Sequence, residues 1–413
     1  MSYEKCSIKK LGALVLSVMV LASCGKTDDS QVDSATKKAT EITRLSHSGW
    51  VGKFAVSSQG AYTIEQVRPG SYNLFYVDAA TQQETYPCAA PNCNHDSESC
   101  TSYVSMDQAP FGFLLFFYQD YLYAIQNSTT DSYHPYLMRM NPDGTDRKIV
   151  VELNNGEDFS DCIFGYGDSI LCQTGTVQET GAAHQQMERI NLQTGEREVL
   201  FAYPEGKRES YSLMGAVGSK LVYLHINGSE YQYFTVDLSS ENPSMEDWSN
   251  HTLGSRVDNE TQYCNIQGDY FCTYDTHTNE LGYKNLVTGE SKKFQAPELE
   301  PDDVLYGLVY LYDDKFALTL EDAEKEPVNA LIDCETGELT GVRYISTREN
   351  NNTITGDVGD SLFYLIRYDE KPMKKQEEYN LVGEVAVCGI YGIVSKEDYW
   401  NGKLGNEIAF PEQ

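Results

Sequence analysis

Short apolar stretches alternate with polar turn signals along most of the chain after about residue 50. Many of the stretches are rich in Tyr, Phe, Val, Ile and Leu, as in Ser219-Lys-Leu-Val-Tyr and Asp360-Ser-Leu-Phe-Tyr. Alternation with a period of two places every second side chain on the same face, which is typical of half-buried β-strands. No amphipathic helical window of useful length stands out. The pattern therefore predicts an all-β chain.

One turn signal recurs at a nearly constant spacing. It begins with Asn or Asp, continues with a short polar run that often reads Thr-Gly-Glu, and has an apolar run on each side. The seven copies begin at Asp78, Asn141, Asn191, Asp237, Asn285, Asp333 and Asn380. The intervals between them are 63, 50, 46, 48, 48 and 47 residues. A repeating unit of about 48 residues is typical of propeller blades.

A second turn signal precedes the first by roughly twenty residues in each unit. Its copies are Gln59-Gly60, Gln119-Asp120, Gly167-Asp168, Gly218-Ser219, Gly268-Asp269, Asp313-Asp314 and Gly359-Asp360. Two turns per unit predict two hairpins, with the Gly-Asp turn joining strands one and two and the Thr-Gly-Glu turn joining strands three and four. The fold prediction is a seven-bladed β-propeller of four-stranded blades over residues 46–413. We expect part of Ile390–Phe410, or of Glu41–Leu45, to complete the sheet that closes the ring.

The first two dozen residues have the pattern of a signal peptide. Two Lys residues precede the apolar run Leu11–Ala22, which is too short to span a bilayer as a mature helix. The segment Leu21-Ala22-Ser23-Cys24-Gly25 resembles the bacterial lipobox, which implies cleavage after residue 23 and a lipid on Cys24. Residues 24–45 are then the lipidated Cys and a flexible tether. We expect a lipid-anchored protein on the extracytoplasmic face of the cell membrane.

The chain is strongly acidic, with a formal net charge of -31. A surface of this charge repels anionic lipid headgroups and nucleic acid, so nucleic acid is excluded as a partner. The charge also keeps a surface protein soluble, which explains it without a ligand. We expect a monomer.

The longest interval between turns contains a cysteine-rich insertion at about residues 87–105. Its spacing, Cys88-x4-Cys93-x-His95-x4-Cys100, supplies three thiolates and one imidazole, which is a tetrahedral zinc set. The insertion lacks tight Cys-x2-Cys knuckles, so a disulfide with a spare thiol, or three reduced cysteines, are alternatives. We predict that these four residues converge, and that the insertion lies in the crossover between the first and second blades, on the face shared by all crossovers.

The other cysteines and the search for catalytic motifs do not predict a functional site. Cys162 and Cys172 flank one Gly turn, and Cys264 and Cys272 flank another, so each pair could face across a hairpin. Core packing is the simpler prediction for all four. No nucleophile elbow, His-Glu-x-x-His, phosphate-binding loop or Cys-x-x-Cys is present, and no catalytic residue is predicted.

The repeats, the lipobox and the segment from Cys88 through Pro91, Cys93 and His95 to Cys100 together resemble a family. It comprises exported lipoproteins of Gram-positive anaerobes with a Tol-Pal-like propeller and an early Cys-Pro-Cys-His-Cys segment. The resemblance spans essentially the whole mature chain and implies fold and location, but no activity.

Two functional hypotheses follow from these predictions. The first is a non-catalytic binding or scaffold propeller for a protein, peptide or glycan, because catalytic motifs are missing. The second is an enzyme, a lyase or a glycan-active protein, with its active site at the mouth of the channel. Such sites are assembled from several blades, so a search for linear motifs does not detect them.

Overall fold

The described residues form seven separate antiparallel sheets, which we number in chain order. The computed structural model describes residues 42–45, 54–68, 71–105, 114–127, 134–177, 183–203, 209–227, 230–240, 243–248, 262–275, 278–296, 304–305, 310–312, 315–321, 327–334, 336–338, 344–345, 354–371, 386–401, 403 and 405–408. Contacts divide the chain into two units, Met1–Lys38 and Ala39–Gln413, and every described residue lies in the second. Among these residues, no helix is long and apolar enough to cross a membrane.

The first three sheets cover the chain to residue 202. Sheet 1 has β2 (Phe54–Ser57), β3 (Gly60–Arg68), β4 (Ser71–Asp78), β5 (Gln83–Thr85) and β6 (Tyr103–Ser105). Sheet 2 has β7 (Leu114–Tyr118), β8 (Tyr121–Gln126), β9 (Tyr136–Met140) and β10 (Lys148–Glu152). Sheet 3 has β1 (Thr43–Arg44), β11 (Glu157–Tyr166), β12 (Ser169–Val177), β13 (Ala183–Asn191) and β14 (Arg197–Ala202).

The remaining four sheets complete the described part of the chain. Sheet 4 has β15 (Glu209–Val217), β16 (Lys220–Asn227), β17 (Glu230–Asp237) and β18 (Met245–Asp247). Sheet 5 has β19 (Gln262–Gln267), β20 (Tyr270–Asp275), β21 (Glu280–Asn285) and β22 (Ser291–Gln295). Sheet 6 has β23 (Val304–Leu305), β24 (Tyr310–Tyr312), β25 (Lys315–Glu321), β26 (Pro327–Asp333) and β27 (Tyr344–Ile345). Sheet 7 has β28 (Ile354–Val358), β29 (Ser361–Lys371) and β30 (Ala386–Ser395), and the helix α1 (Lys396–Trp400) follows it.

Apolar clusters between neighbouring sheets make up the core. Each sheet shares one apolar cluster with the next sheet in number, from sheet 1 through to sheet 7. A seventh cluster lies between sheet 7 and sheet 1. The first strands of neighbouring sheets also pack together, β2 against both β7 and β28 and β15 against β19. A sheet covered on both faces by its neighbours, with first strands meeting near a common axis, defines a β-propeller. The all-β propeller prediction is confirmed.

The number of complete four-stranded blades differs from the prediction. Six sheets have four or more strands, and sheet 7 has three described strands. After β30 the chain turns into α1, which is capped by the hydroxyl of Ser395. Glu407 then forms an isolated antiparallel bridge with Gly392 of β30, at the position where a fourth strand would lie. The predicted turn at Asn380 lies outside the described residues.

The two terminal segments lie in different sheets. Residues from Ile390 to Ser395 belong to β30 of sheet 7, which packs against sheet 1, so part of the C-terminal segment completes the sheet that closes the ring, as predicted. The N-terminal strand β1 instead pairs with β11 in sheet 3, with Thr43 opposite Gly165. It adds a strand to the inner edge of a sheet far from the first and last sheets in sequence.

The predicted turn assignment is confirmed in the sheets where both turns are described. In sheet 3 the turn at Gly167 joins the first two repeat strands, and the turn from Asn191 joins the last two. The Asn191 Oδ1 atom accepts the N–H groups of Gln193 and Thr194, both at 2.9 Å. The Leu192 N–H also donates to the Asp168 carbonyl at 3.0 Å, which ties the two turns together. Local side-chain hydrogen bonding therefore explains these polar turns without an ion.

Candidate metal centre

The cysteine-rich insertion interrupts the outer strand of sheet 1. Both β5 and β6 pair with β4, with Thr85 opposite Tyr76 and Tyr103 opposite Asn73. Residues 86–102, which we call the Cys module, thus bulge outward from one split strand. The prediction that the insertion lies in the crossover to the second blade is wrong. The chain returns to pair with β4 after the module, because the apolar Val104 is buried in the core between sheets 1 and 2.

The Cys module brings together the four residues singled out in the sequence. One ligand atom each from Cys88, Cys93, His95 and Cys100 lies within 4.8 Å of all the others. The His95 Nδ1 and Cys100 Sγ atoms are 3.2 Å apart. In a tetrahedral zinc site, bond lengths of about 2.3 Å to sulfur and 2.0 Å to nitrogen separate ligand atoms by roughly 3.5–3.8 Å. Small side-chain adjustments would therefore fit these four donors around one ion. That they bind metal remains a prediction.

Tight backbone turns hold the four donors inward. The Cys93 N–H donates to the Ala90 carbonyl at 3.3 Å, and the Cys100 N–H donates to the Ser97 carbonyl at 2.9 Å. Asn92 and His95 have φ angles of 56° and 55°, in the left-handed region. Left-handed backbone at a residue other than Gly is uncommon and clusters at ligand clamps. The local geometry therefore favours the convergence of side chains over a regular strand.

Groups around the donors fix the imidazole and one thiol. The Tyr86 ring stacks on the His95 ring with 3.8 Å between their centroids. The Asn73 amide donates to the His95 carbonyl at 3.0 Å, which anchors the backbone of this residue to β4. The Ser102 N–H points at the Cys100 sulfur at 3.3 Å. N–H groups directed at sulfur stabilise a thiolate, and such supporting contacts orient metal ligands.

The thiols of the Cys module differ in their ease of ionisation. Burial opposes ionisation of Cys88, but hydrogen bonds from Ala90 and Thr101 outweigh it and lower the pKa of its thiol to about 7. Burial, together with the neighbouring cysteines, raises the pKa of the Cys100 thiol to about 12. Three thiols crowded together cannot all ionise cheaply without a cation, and a bound metal supplies that cation. All three are free thiols in the structure, with no disulfide among them.

The remaining described cysteines with described side chains lie in the core, as predicted. Cys162, Cys172, Cys272 and Cys334 are buried among apolar residues. Cys172 is opposite Ile163 across its hairpin, so the two cysteines flanking that turn point to different faces and pack in different clusters. Cys272 is opposite Asn265, one position away from Cys264. The alternative that each pair faces across a hairpin is wrong. Cys24 lies outside the described residues.

The strand β1 occupies the inner edge of sheet 3, a placement that sequence reasoning missed. The Leu45 N–H donates to the Ile163 carbonyl at 2.9 Å. The Arg44 guanidinium reaches the Ile266 carbonyl on β19 of sheet 5, at 3.4 Å. Ile42 packs into the cluster between sheets 3 and 4. The sequence signal for it, the two apolar residues Ile42 and Leu45 on either side of Thr43-Arg44, is too short to stand out.

Comparisons with known proteins support the fold and do not identify a function. No protein-family model and no curated protein matches the chain. A puromycin hydrolase mutant complexed with PGG matches with a TM-score of 0.53 at 11% identity, over 88% of this chain and 55% of that one. An oligogalacturonate lyase in complex with manganese matches with a TM-score of 0.48 at 11% identity, over 87% of this chain and 92% of that one.

A third solved structure has propeller architecture in its own description. The β-propeller domain of the Trilobed protease from Pyrococcus furiosus matches with a TM-score of 0.46 at 10% identity, over 90% of this chain and 98% of that one. Identities this low show a likeness of fold alone. The class of protein, a β-propeller, is defined by the packing of the chain's own sheets, and its chemistry has to be argued from its own residues.

Proposed function

We propose that this chain is a lipid-anchored, extracytoplasmic propeller that serves as a non-catalytic binding scaffold, with one structural zinc ion held by its Cys module. The observation that carries the proposal is the convergence of Cys88, Cys93, His95 and Cys100 at the outer strand of sheet 1. Four protein ligands leave no open coordination position for a substrate, which is the arrangement of a structural rather than a catalytic zinc site. Zinc would crosslink a long bulge that has little core of its own.

Elemental analysis tests the zinc component. Protein purified under reducing conditions without chelator should contain about one zinc per chain. Substitution of Cys93 by Ser should lower that content, because it removes one of four donors. The C334A variant is the matched control, since Cys334 is a buried thiol in the core between sheets 5 and 6 and should leave zinc content unchanged. Absence of metal, together with a free-thiol count lowered by two, would establish the disulfide alternative instead.

The anchor component rests on the sequence around Cys24. In a Gram-positive host the full chain should incorporate labelled palmitate and fractionate with membranes. The C24A variant should lose both properties, whereas C334A should keep them. Palmitate labelling of the C24A variant to the normal level would contradict this part of the proposal and leave the zinc component untouched.

The non-catalytic binding component is supported by the position of β1 at the inner edge of sheet 3. The chain's own N-terminal strand lies on the inner edge of sheet 3, and Arg44 hydrogen bonds to a backbone carbonyl of sheet 5. A segment in this position takes up inner surface that a substrate entering the centre would need. The mature chain, incubated with a digest of cell-wall glycan and peptide, should therefore retain a component of the digest without changing it chemically. Newly formed unsaturated sugars or new peptide termini would establish the enzyme alternative.

We also propose that sheet 7 is the seventh blade of the ring. Its core with sheet 6 includes Leu331 and Leu362, and its core with sheet 1 includes Val77 and Phe363. A sheet packed on both faces by its neighbours has the environment of a blade even with three described strands. Mass-spectrometric crosslinks between β30 and β3 should then form within one chain.

A further inference from the structure

A guanidinium group from sheet 2 lies against the Cys module. Arg147 stands between the repeat turn that begins at Asn141 and the strand β10. Its Nη1 atom donates to the Tyr103 carbonyl at 2.8 Å, and its Nη2 atom donates to the Thr101 carbonyl. Its Nε atom donates to the Gly144 carbonyl at 3.1 Å. All three acceptors are neutral, and within the described part of the chain Arg147 forms no ion pair with a carboxylate.

A partly buried cation surrounded by neutral carbonyls needs an anion nearby. Carbonyl dipoles compensate part of the lost hydration, but a buried charge is costly without an opposite charge. The guanidinium contacts the Thr101 and Tyr103 carbonyls, so it lies at the C-terminal end of the Cys module, next to the ligand candidate Cys100. Thr101, which accepts from the guanidinium, directly follows Cys100 in the chain. A negatively charged metal centre in the Cys module would therefore provide the counter-charge that the carbonyl groups lack.

A Cys3His zinc centre supplies such an anion. Two positive charges on zinc against three thiolates and a neutral imidazole leave one net negative charge. We propose that Arg147 is the counter-cation of this centre, supplied across the interface by sheet 2. The inference rests on the proposed zinc site and assigns to that site a partner outside the Cys module. Supporting groups of this kind affect metal affinity strongly although they do not touch the metal.

The same contact couples metal binding to the docking of two sheets. Gly144, in the repeat turn of sheet 2, has a φ of 78°, and a Cβ atom there would collide with the Thr101 carbonyl oxygen. The turn therefore approaches the Cys module more closely than any side chain would allow, and Arg147 closes the contact. A metal that fixes Cys100 also fixes the next residue, Thr101. The Thr101 carbonyl is the group that Gly144 approaches and to which Arg147 donates. Zinc should therefore stabilise the interface between sheets 1 and 2.

Metal affinity of charge variants tests this inference. Zinc dissociation constants are measured by competition with a chromophoric chelator, and the thiolate-to-cobalt charge-transfer band reports an intact site. R147Q should weaken zinc binding by about 10- to 100-fold, because it removes the counter-charge. R147K should recover most of that loss, because it restores the charge. R189Q is the matched control, since Arg189 pairs with Glu198 on the exposed surface of sheet 3, and it should leave affinity unchanged.

A change in the charge of the centre separates electrostatics from packing. Replacing Cys93 by His makes a neutral zinc centre, because one thiolate becomes an imidazole. In the C93H chain, R147Q should therefore weaken zinc binding by a smaller factor than in the natural chain. Equal factors in the two backgrounds, or an R147K variant as weak as R147Q, would mean that Arg147 acts by shape alone and would overturn the inference.

The outcomes also distinguish the inference from the proposed function. A natural chain that gives no charge-transfer band and binds no zinc removes both the zinc site and its counter-cation. A natural chain that binds zinc with the same affinity as R147Q keeps the zinc site and removes only the role of Arg147. If R147Q does not fold, R147K decides, since retained affinity in that variant supports a charge effect and lost affinity contradicts it.

Discussion

Turn glycines in this propeller have two separate roles, which two copies of the repeat distinguish. Gly195 and Gly289 occupy the same place in the turns that begin at Asn191 and Asn285, with φ angles of 73° and 78°. A Cβ atom on Gly195 would collide with the Val150 carbonyl oxygen of sheet 2, whereas one on Gly289 would have nothing within 4 Å. Left-handed backbone thus requires Gly at both positions, and close approach to the next sheet adds a second requirement at Gly195.

Alanine at the two positions should separate these roles. G289A should lower the free energy of unfolding by about 1 to 2 kcal/mol, the usual cost of a side chain in left-handed backbone. G195A should lower the free energy of unfolding by about 1 to 3 kcal/mol more than G289A does, because the turn must move away from the Val150 carbonyl. Denaturant unfolding of both variants measures the difference. Equal losses would show that the contact between sheets 2 and 3 yields without cost.

A buried ion-pair network in sheet 3 is a second structural role for charged residues. The Arg197 guanidinium donates to both carboxylate oxygens of Glu188, at 2.7 Å each, and to Glu157 at 3.0 Å. Glu188 is 0% exposed and also accepts from the Thr174 hydroxyl at 2.9 Å. Such a set of charges resembles a catalytic cluster in composition. Its complete hydrogen bonding inside one sheet explains it as a support for β12, β13 and β14.

Removing one charge from this network should be costly. E188Q should lower the free energy of unfolding by about 3 to 5 kcal/mol, because it leaves the partly buried Arg197 with only Glu157 as an anionic partner. The control is E198Q, which removes the exposed partner of Arg189 and should cost less than about 1 kcal/mol. Urea denaturation of the two variants makes the comparison. A loss in E188Q as small as that in E198Q would contradict the assignment of this network to stability.

The strand β1 shows how a short element with little sequence signal can matter for the fold. Its two residues pair with β11, and Ile42 and Leu45 on either side pack against the clusters on both faces of sheet 3. A chain that begins at Ser46 should lose about 3 kcal/mol of stability relative to one that begins at Ala39, from lost apolar burial and hydrogen bonds. Amide exchange along β11 should be faster in the shorter chain, and unchanged exchange there would contradict the pairing.

Local patterns predicted the hairpins well because their information is local. A turn such as that at Asp237 is specified by hydrogen bonds from the neighbouring Ser239, and the flanking alternation fixes which side chains face the core. The four donors of the Cys module fall within thirteen residues, so their spacing predicted their convergence. The split of the outer strand into β5 and β6 was missed, because the pairing of β6 with β4 depends on residues thirty positions apart.

Contacts between sheets could not be predicted from the sequence, because they too join residues that are far apart along the chain. Arg147 lies 47 positions after Cys100, in a different repeat, and nothing in its neighbours distinguishes it from a surface arginine. After the three described strands of sheet 7, Tyr399 and Trp400 of α1 pack with sheet 6, and Ile408, next to the bridge at Glu407, packs with sheet 1. The repeat period predicts how many units the chain holds, whereas the place of each terminal segment is decided by the assembled ring.

Closure of the propeller depends on the contact between its last and first sheets. The Tyr391 hydroxyl of β30 donates to the Glu65 carboxylate of β3 at 2.7 Å, and both residues are at most 3% exposed. The two residues are 326 positions apart, so this bond forms only when the whole ring is assembled. A buried carboxylate that loses a donor keeps its desolvation cost, so the bond should contribute more than an exposed one.

Replacement of Tyr391 by Phe should therefore lower the free energy of unfolding by about 1 to 3 kcal/mol. The matched control is Y76F, whose hydroxyl donates to the Gln59 carbonyl within sheet 1 at 3.1 Å in an exposed position. That variant should lose less than about 1 kcal/mol, because water replaces the bond. If closure forms late in folding, Y391F should mainly accelerate unfolding and leave the folding rate nearly unchanged. Stopped-flow kinetics of the two variants measure both rates, and slower folding in Y391F would instead place the contact between sheets 7 and 1 early in assembly.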